Sequence, residues 1–250
     1  MSEPTGAELG KKTAAAMALG HVRNGMALGL GSGSTADWFV RLLGARMAQE
    51  RLDIACAATS KRTETLAREC GIPLRALDDF DRLDLTVDGA DEIDPALNLI
   101  KGGGACHLIE KIVASASDTL VIIADESKLV PVLGAFPLPV EIATLGWRTT
   151  TRRLGEALGD ASPPRRGGNT SPPRRGGDVP LARRGGDEPV LTDEGNFIVD
   201  CRMGRIADAH ALAATLDAIP GVVEHGLFLG MASRALIGSA DGTAREVLPM

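Results

Sequence analysis

Tyrosine is absent from this chain, and two tryptophans and five phenylalanines bring the aromatic content to only 3%. Alanine, leucine, valine and isoleucine must therefore fill the interior, and the hydrophobic share of 44% is enough to build a sizeable core. No apolar run approaches the ~18 residues that a membrane-spanning helix requires. The opening segment Met1–Lys12 also lacks the apolar stretch of a secretory signal peptide, so we expect a soluble, cytoplasmic protein with no membrane partner.

Cysteine and histidine are few and scattered. The four cysteines form no Cys-x-x-Cys pair, which argues against a disulfide framework and fits a reducing compartment. The four histidines form no His-x-His or His-Glu-x-x-His pair of the kind that indicates a metal centre. The cysteines and histidines therefore give no support for a metal centre.

Positive charge is concentrated in one segment. The whole chain has a net charge of −6, which argues against a nucleic acid or an anionic membrane as partner, since both attract cationic surfaces. Residues 161–187, however, contain six arginines and two aspartates, a local charge of +4 that leaves −10 on the remaining chain. The chain is therefore acidic apart from this one basic segment.

That basic segment is a repeat of nine residues. Ser-Pro-Pro-Arg-Arg-Gly-Gly occurs at 162–168 and again at 171–177, and a degenerate copy follows at 180–187. No copy has an apolar face, so the repeat is predicted to be a flexible excursion from a hairpin. An arm that contacts RNA or a phosphorylated partner is the functional alternative. We favour an expanded loop whose removal spares the chemistry, because loops accept insertions at little cost.

The first half of the chain alternates between strand and helix patterns. Strands are predicted at Met26–Leu30, Leu52–Ala58, Leu83–Val87 and Thr119–Ala124. Helices are predicted at Glu8–Asn24, from Thr35 onward, at Lys61–Cys70 and at Ala105–Ser115. This order indicates an α/β fold with a doubly wound, mostly parallel, Rossmann-like sheet, whose ligands bind beyond the carboxyl ends of the strands.

The pattern changes after about Gly134. The prolines of Phe136–Ile142 favour an extended segment, short strands are predicted at Val190–Leu191, Asn196–Cys201 and Val222–Leu229, and Ala207–Ile219 is one of two expected helices. Residues 134–230 are therefore predicted to form a smaller α+β domain. Residues 1–133 together with 231–250 are predicted to form the Rossmann-like catalytic domain, to which Ser233–Ile237 returns as a strand.

The loop Gly31–Thr35 is predicted to bind an anion. Its glycines allow close approach of the backbone, and the N–H groups of the helix that follows attract a phosphate. Gly31-x-Gly33-x-x-Ala36 also satisfies a permissive dinucleotide fingerprint. That motif requires an acidic residue after the next strand, and this chain has Thr59-Ser60-Lys61 there, so a phosphate fits better. A tight turn with a capped helix is the structural alternative.

Carboxylates cluster where the third strand ends, in Asp88-Gly89-Ala90-Asp91-Glu92. Such carboxylates can bind sugar hydroxyls, hold a metal or move protons, although no histidine joins them at ligand spacing. An Asp-Gly-rich turn that only caps a helix is the alternative.

The segment Lys101-Gly102-Gly103-Gly104 is more specific, because successive glycines before a helix indicate close approach of a ligand to the backbone. Glu110 lies in that helix among apolar residues, an environment suited to a general base. The alternative is a surface glutamate paired with Lys111. Lys128 follows the strand Thr119–Ala124 and is another candidate at the same edge.

Six motifs, in this order, resemble those of the ribose-5-phosphate isomerase type A family over nearly the whole chain. They are Gly31–Ala36, Asp88–Ile93, Ile100–Ala105, Phe136–Glu141, Thr192–Asn196 and Pro220–Phe228. The resemblance implies an aldose–ketose isomerase of the pentose phosphate pathway, which interconverts ribose 5-phosphate and ribulose 5-phosphate and needs neither a metal nor a cofactor. It also implies association as a homodimer or homotetramer, partly through the smaller domain.

The same resemblance implies roles for individual residues. Glu110 matches the general base that moves a proton between C1 and C2 through an enediolate, and Asp88 and Lys101 match groups that handle the ring oxygen and the sugar oxygens. Substrate-binding residues are implied in four segments: Ser32, Gly33, Ser34 and Thr35; Asp88, Gly89, Ala90 and Asp91; Lys101, Gly102, Gly103 and Gly104; and Lys128. No role is assigned to Cys106 or His107.

Two other functions are compatible with a similar sheet. A related acyl-CoA transferase would use a glutamate as a covalent nucleophile and would depend on CoA. A sugar-phosphate-sensing domain of a transcriptional regulator would need a DNA-reading module, for which we expect no room in the residues before the first predicted strand.

Overall fold

The computed structural model describes residues 6–159, 181–183 and 190–250. The helices in these ranges are α1 (Ala7–Ala18), α2 (Ser34–Gln49), α3 (Lys61–Glu69), α4 (His107–Ser115), α5 (Trp147–Leu158) and α6 (Ala209–Asp217). The strands are β1 (Ala27–Leu30), β2 (Ala55–Ala58), β3 (Leu85–Asp88), β4 (Glu92–Ile93), β5 (Leu99–Ile100), β6 (Leu120–Asp125), β7 (Leu138–Ile142), β8 (Leu181–Arg183), β9 (Phe197–Cys201), β10 (Val222–His225), β11 (Leu227–Phe228), β12 (Arg234–Gly238) and β13 (Ala244–Val247). Apart from β8, the predicted excursion at 161–187 lies outside the described residues.

Six strands form the main sheet, in the order β13-β12-β6-β3-β1-β2. All neighbours are parallel except β12 and β13, which are antiparallel. From β1 the chain moves outward to β2 and then returns to the other side of β1 as β3. The order of the strands therefore reverses between β1 and β3, where α/β sheets bind their ligands. The predicted α/β fold class is confirmed.

Both faces of this sheet are buried. Along β6, Val121 and Ile123 pack into one apolar cluster with Phe39 and Leu43 of α2, whereas Ile122 and Ala124 pack into a second cluster on the opposite face. A strand that is apolar on both sides is typical of a parallel sheet covered by helices. Within the described ranges, every helix is too short or too polar to cross a lipid bilayer.

Helix α1 approaches the sheet so closely that glycine is needed on both sides. A β-carbon on Gly238 in β12 would lie 1.9 Å from the carbonyl oxygen of Gly10 in α1, and one on Gly10 would lie 2.7 Å from the carbonyl oxygen of Gly238. Neither backbone atom can rotate away as a side chain could. The pair of glycines thus sets the distance between helix and sheet.

A second sheet has four antiparallel strands in the order β10-β7-β9-β8. Helix α5 buries Thr150, Leu154 and Leu158, which recur every four residues along one face. The second predicted helix of this part of the chain is α5. Three consecutive threonines and three arginines make up the segment 148–153 and obscure its helical pattern, since threonine has a low helix propensity.

The chain divides into two compact units. The first comprises Met1–Leu99, Ile109–Pro131 and Phe228–Met250, and the second comprises Ile100–Leu108 and Val132–Leu227. The predicted domain bounds at 134 and 231 stay a prediction, and residues 100–108, which that prediction assigned to the first domain, group with the second unit.

Each unit has one tryptophan. Trp38 donates a hydrogen bond to Glu8, and Trp147 contacts the Phe197 ring edge-on at 6.0 Å.

Strand β7 carries a charged residue into the interior of the second unit. Glu141 is fully buried, and its Oε1 accepts hydrogen bonds from Thr192 Oγ1 at 2.8 Å and Asn196 Nδ2 at 3.0 Å. Its Oε2 lies 3.8 Å from Nε2 of His107, which is also fully buried. Burial raises the pKa of the Glu141 carboxyl above its ordinary value, against the two hydrogen bonds, which lower it.

We expect Gly238→Ala to destabilise the first unit by roughly 1–3 kcal/mol or more, because the added methyl group meets a backbone carbonyl that cannot move without shifting α1. Gly20→Ala is the matched control, since nothing lies within 4 Å of its β-carbon. Urea denaturation at constant pH measures both free energies of unfolding. Equal stability of the two variants would show that α1 is not held at this distance.

We expect the stability of Glu141→Gln relative to wild type to improve as pH rises from about 4.5. The folded-state pKa of Glu141 is raised, so the folded state binds more protons than the unfolded state above the unfolded pKa, and the free energy of unfolding falls with rising pH through that window. Glutamine does not titrate and escapes this loss. Denaturation series from pH 4.5 to 7 measure the difference, with exposed Glu156→Gln as control. A difference independent of pH contradicts the assignment.

Candidate active site

The first part of the site lies at the switch point of the main sheet. Leu30 at the end of β1 pairs with Val87 of β3, so the loop after β1 and the loop that begins at Asp88 leave the sheet side by side. A β-carbon on Gly89 would lie 3.7 Å from the carbonyl oxygen of Ser32, in ordinary contact. Two loops that the sequence analysis singled out separately therefore meet at one edge.

Asp88 is held by backbone groups of both loops. Its side chain is buried, with 1% of the residue exposed, and Oδ1 accepts hydrogen bonds from the N–H groups of Ser32 at 3.0 Å and Gly89 at 2.7 Å. A β-carbon on Gly31 would lie 2.1 Å from Oδ1, so only glycine at this position lets the carboxylate stay where it is. The orientation of Asp88 is thus fixed by the loop after β1.

The N-terminus of α2 provides N–H groups for an anion. Gly33 precedes the helix with a φ of 99°, a conformation that favours glycine, and no side chain caps the helix. Ser34 and Thr35 are its first two residues, and their N–H groups have no partner within the helix itself. Helix N-termini without a side-chain cap can bind phosphate through these N–H groups, and phosphate binding by this loop stays a prediction.

Glu110 is buried, with 5% of the residue exposed, and lies in the first turn of α4. The sequence left open whether it is a buried base or a surface glutamate paired with Lys111. Its burial, next to the buried Val113 and Ala114 on the same helix, supports the first interpretation, because a buried carboxylate can serve as a proton acceptor shielded from water. Lys111 lies with its Nζ 5.0 Å from the centre of the Phe228 ring.

Lys128 and Asp91 complete the candidates of the first unit, and both are partly exposed. Lys128 ends the short 3-10 turn Glu126–Lys128 directly after β6. The Asp125 side chain fixes this turn by accepting a hydrogen bond from the N–H of Ser127 at 3.0 Å. The lysine therefore follows the carboxyl end of a strand that neighbours β3, at the edge where Asp88 lies.

The glycine loop with Lys101 belongs to the second unit. Lys101 is buried, with 3% of the residue exposed, and its N–H donates a hydrogen bond to the carbonyl oxygen of Gly226 at 2.8 Å. A β-carbon on Gly226 would lie 2.3 Å from the carbonyl oxygen of Lys101. Gly226, which interrupts the predicted strand Val222–Leu229, is therefore a supporting residue that sequence reasoning missed.

The remainder of this loop is tightly turned. Gly102 has a φ of 106°, and its position next to the His107 ring leaves no space for a side chain, since a β-carbon would lie 2.7 Å from Nδ1. Ala105 has a φ of 64°, which is unusual for a residue with a side chain. Gly103 and Gly104 are exposed. Cys106 donates a hydrogen bond from Sγ to the carbonyl oxygen of Gly104 at 3.2 Å, and so faces the loop.

The described residues contain no group of three or more histidine, cysteine, aspartate or glutamate side chains close enough to hold a metal ion. That the reaction needs no metal or cofactor stays a prediction. Among the predicted site residues, the structure brings Ser32 and Gly89 onto Asp88, and places Gly33, Ser34, Thr35, Ala90, Asp91, Glu110 and Lys128 in the same unit. Lys101, Gly102, Gly103 and Gly104 lie together in the other unit.

Comparison with known proteins assigns this chain to a family. Residues 55–242 match the family model described as ribose 5-phosphate isomerase A (phosphoriboisomerase A). The chain is 52% identical over 232 residues to ribose-5-phosphate isomerase A of Rhodopseudomonas palustris (strain BisB18), covering 93% of this chain and 94% of the relative. It is 54% identical over 239 residues to the protein of the same name from Sinorhizobium fredii, with the same coverage.

Solved structures give the same result. A D-ribose-5-phosphate isomerase in complex with phospho-erythronic acid superimposes with a TM-score of 0.84 at 36% identity, over 97% of this chain and 99% of that one. Ribose 5-phosphate isomerase A from Methanocaldococcus jannaschii superimposes with a TM-score of 0.82 at 38% identity, over 95% and 97% of the two chains. Because both the sequence and the fold match over nearly their whole length, this chain belongs to the ribose 5-phosphate isomerase A family.

Proposed function

We propose that this isomerase interconverts D-ribose 5-phosphate and D-ribulose 5-phosphate through an enediolate, with Glu110 as the general base. The observation that carries the assignment is the burial of an ionisable carboxylate in the first turn of the helix after the glycine loop. Family membership supports the overall reaction. It does not favour an acyl-CoA transferase or a sugar-sensing domain, because the relatives named above are isomerases over nearly the full length of the chain.

In the open-chain aldose, the Glu110 carboxylate removes the proton from C2. The electron pair of that C–H bond forms the C1–C2 double bond, and the carbonyl oxygen at C1 becomes an oxyanion. The protonated carboxyl then returns the proton to C1, while the proton of the C2 hydroxyl moves to the oxygen at C1, which leaves a ketone at C2. One carboxylate suffices because the proton moves between adjacent carbons.

We assign Lys101 and Asp88 to oxygen atoms of the substrate. We assign the Lys101 ammonium to the developing oxyanion, since a buried cation stabilises such a charge more strongly than a solvated one. We assign Asp88 to the ring oxygen and the neighbouring hydroxyl, because the two backbone N–H groups on its Oδ1 hold the carboxylate in one orientation. Asp91 is the second carboxylate of that loop and is assigned to a sugar hydroxyl.

The phosphate group is assigned to the N-terminus of α2, with Gly33, Ser34 and Thr35, and with Lys128 at the same edge of the sheet. The absence of a side-chain cap on α2 supports this, since its first N–H groups then face a ligand or solvent. Binding the phosphate there holds the reacting carbons in place, which lowers the entropy cost of the proton transfer.

We expect Glu110→Gln to lower kcat by about 10²- to 10⁴-fold, because glutamine keeps the shape of the side chain but cannot accept the proton. Binding of ribose 5-phosphate, measured by calorimetry on the same variant, is expected to stay within a few-fold of wild type. Glu69→Gln, the same change at an exposed position of α3, is the control and is expected to turn over normally. Normal turnover by Glu110→Gln would exclude it as the base.

We further propose that the chain is cytoplasmic and assembles as a homodimer or homotetramer through the second unit. The dispersed cysteines and the relatives' shared family support the first point. Exposed apolar side chains on the second unit support the other: Leu145 has 91% of its surface exposed, and Leu191 and Val223 are exposed too.

Light scattering on the full chain is expected to give a mass of two or four times the 26.0 kDa of one chain. Leu145→Glu is expected to shift the distribution toward the single chain, because a charge would then be buried in the interface. A wild-type mass of one chain would contradict the assembly.

A further inference from the structure

Four hydroxyl side chains meet behind the loop that carries Ser32. The Oγ of Ser32 lies 2.8 Å from Thr59 Oγ1, 2.7 Å from Ser60 Oγ and 3.0 Å from Thr63 Oγ1. Thr59 and Ser60 follow β2, and Thr63 lies in the first turn of α3. We call these four residues the hydroxyl cluster. It joins the loop after β1 to the loop after β2, two strands that are parallel neighbours.

The Ser32 hydroxyl lies within hydrogen-bond distance of the three other hydroxyls of the cluster. A hydroxyl has one proton to donate and two lone pairs to accept with, and Ser32 has three hydroxyl neighbours. Ser32 donates its one proton to Ser60, so a ligand can take that proton only if this bond breaks. The bond helps to hold the loop.

Two hydroxyls of the cluster donate to backbone carbonyl oxygens at the end of β1 and the start of the loop that follows. Ser32 donates to Ser60, Ser60 donates to Thr63 at 3.0 Å, and Thr63 donates to the carbonyl oxygen of Gly31 at 3.0 Å. Thr59 donates to the carbonyl oxygen of Leu30 at 3.0 Å. Ring-like networks of this kind stabilise one arrangement, because each member lacks a partner if another is removed.

The two residues that the cluster holds are the two that contact Asp88 from this loop. The N–H of Ser32 donates to Asp88 Oδ1 at 3.0 Å, and the backbone of Gly31 lies against the same carboxylate. Thr63 fixes the carbonyl of Gly31 from behind, and the N–H of Gly31 donates to Val87 at 2.9 Å. A displacement of Gly31 or Ser32 would therefore remove the contacts that hold the Asp88 carboxylate in place.

We propose that Thr63 is a positioning residue for the isomerisation, which acts through Gly31 and Ser32 to hold the Asp88 carboxylate in its reactive orientation. This rests on the role proposed above for Asp88. Ser60 serves the same end by linking Ser32 to Thr63, although it also caps α3 by accepting a hydrogen bond from the N–H of Thr63 at 3.1 Å. Thr63 is therefore the better residue to test.

Thr63→Val tests the proposal, because valine has nearly the shape of threonine and replaces the hydroxyl by a methyl group that cannot form a hydrogen bond. We expect kcat to fall by about tenfold, as for the loss of a buried hydrogen bond that orients a reacting group, with little change in KM. Thr63→Ser keeps the hydroxyl and is expected to recover most of the activity. Thr65→Val is the matched control, because Thr65 is exposed on the same helix and its hydroxyl donates to the backbone carbonyl oxygen of Lys61 at 2.9 Å.

A double-mutant cycle with Asp88→Asn separates positioning from general damage to the fold. If Thr63 acts through Asp88, Thr63→Val adds little to the loss already caused by Asp88→Asn. Losses that multiply would show an effect independent of Asp88 and would overturn the proposal. A rise in KM at constant kcat would also overturn it, since the cluster would then serve the phosphate cradle.

The wild-type chain is assayed first, which keeps this result separate from the proposed function. If the wild type does not isomerise ribose 5-phosphate, the proposed function fails. If the wild type turns over and Thr63→Val matches Thr65→Val, only the positioning role fails.

Discussion

The carboxylate of Asp88 rests against the backbone of Gly31, closer than any β-carbon would permit, and much of the first unit is arranged around this contact. It requires β1 and β3 to be adjacent and in register, so that the loop after Leu30 reaches the residue after Val87. It requires a backbone N–H to face the carboxylate, which Ser32 supplies. A charge this well buried needs such partners, because the alternative is an uncompensated loss of hydration.

The parts of the fold that the sequence predicted are those with local signatures. An apolar run, then glycines, then an amphipathic stretch is enough to predict β1, its loop and α2, since each signal lies within a few residues of its element. The hydroxyl cluster has no local signature. Ser32 and Thr63 meet only because β1 and β2 pair with Leu30 opposite Ala58, and a single sequence contains no record of that register.

The same limit applies to the site. The three glycines after Lys101 can be recognised in the sequence. The hydrogen bond from the Lys101 N–H to Gly226 cannot, because it joins positions far apart in the chain and depends on tertiary structure. The sequence left the burial of Glu110 open, because helical periodicity shows which face of a helix a residue lies on but not what packs against that face. For Glu141, the neighbouring prolines predicted an extended segment. Its buried bonds to Thr192 and Asn196 could not be predicted, because they depend on the pairing of β7 with β9.

The scarcity of aromatic residues has a spectroscopic consequence. With no tyrosine in the chain, fluorescence excited at wavelengths that phenylalanine does not absorb comes from tryptophan alone, and the two tryptophans are divided between the units. Trp38 donates a hydrogen bond to Glu8 and has the Lys12 ammonium 5.6 Å from its ring. Trp147 contacts the Phe197 ring edge-on and has the Arg148 guanidinium 5.2 Å from its ring. Each unit thus carries a single intrinsic fluorophore in a distinct environment, and replacing either indole by phenylalanine would make the emission of the whole protein a report on the other unit.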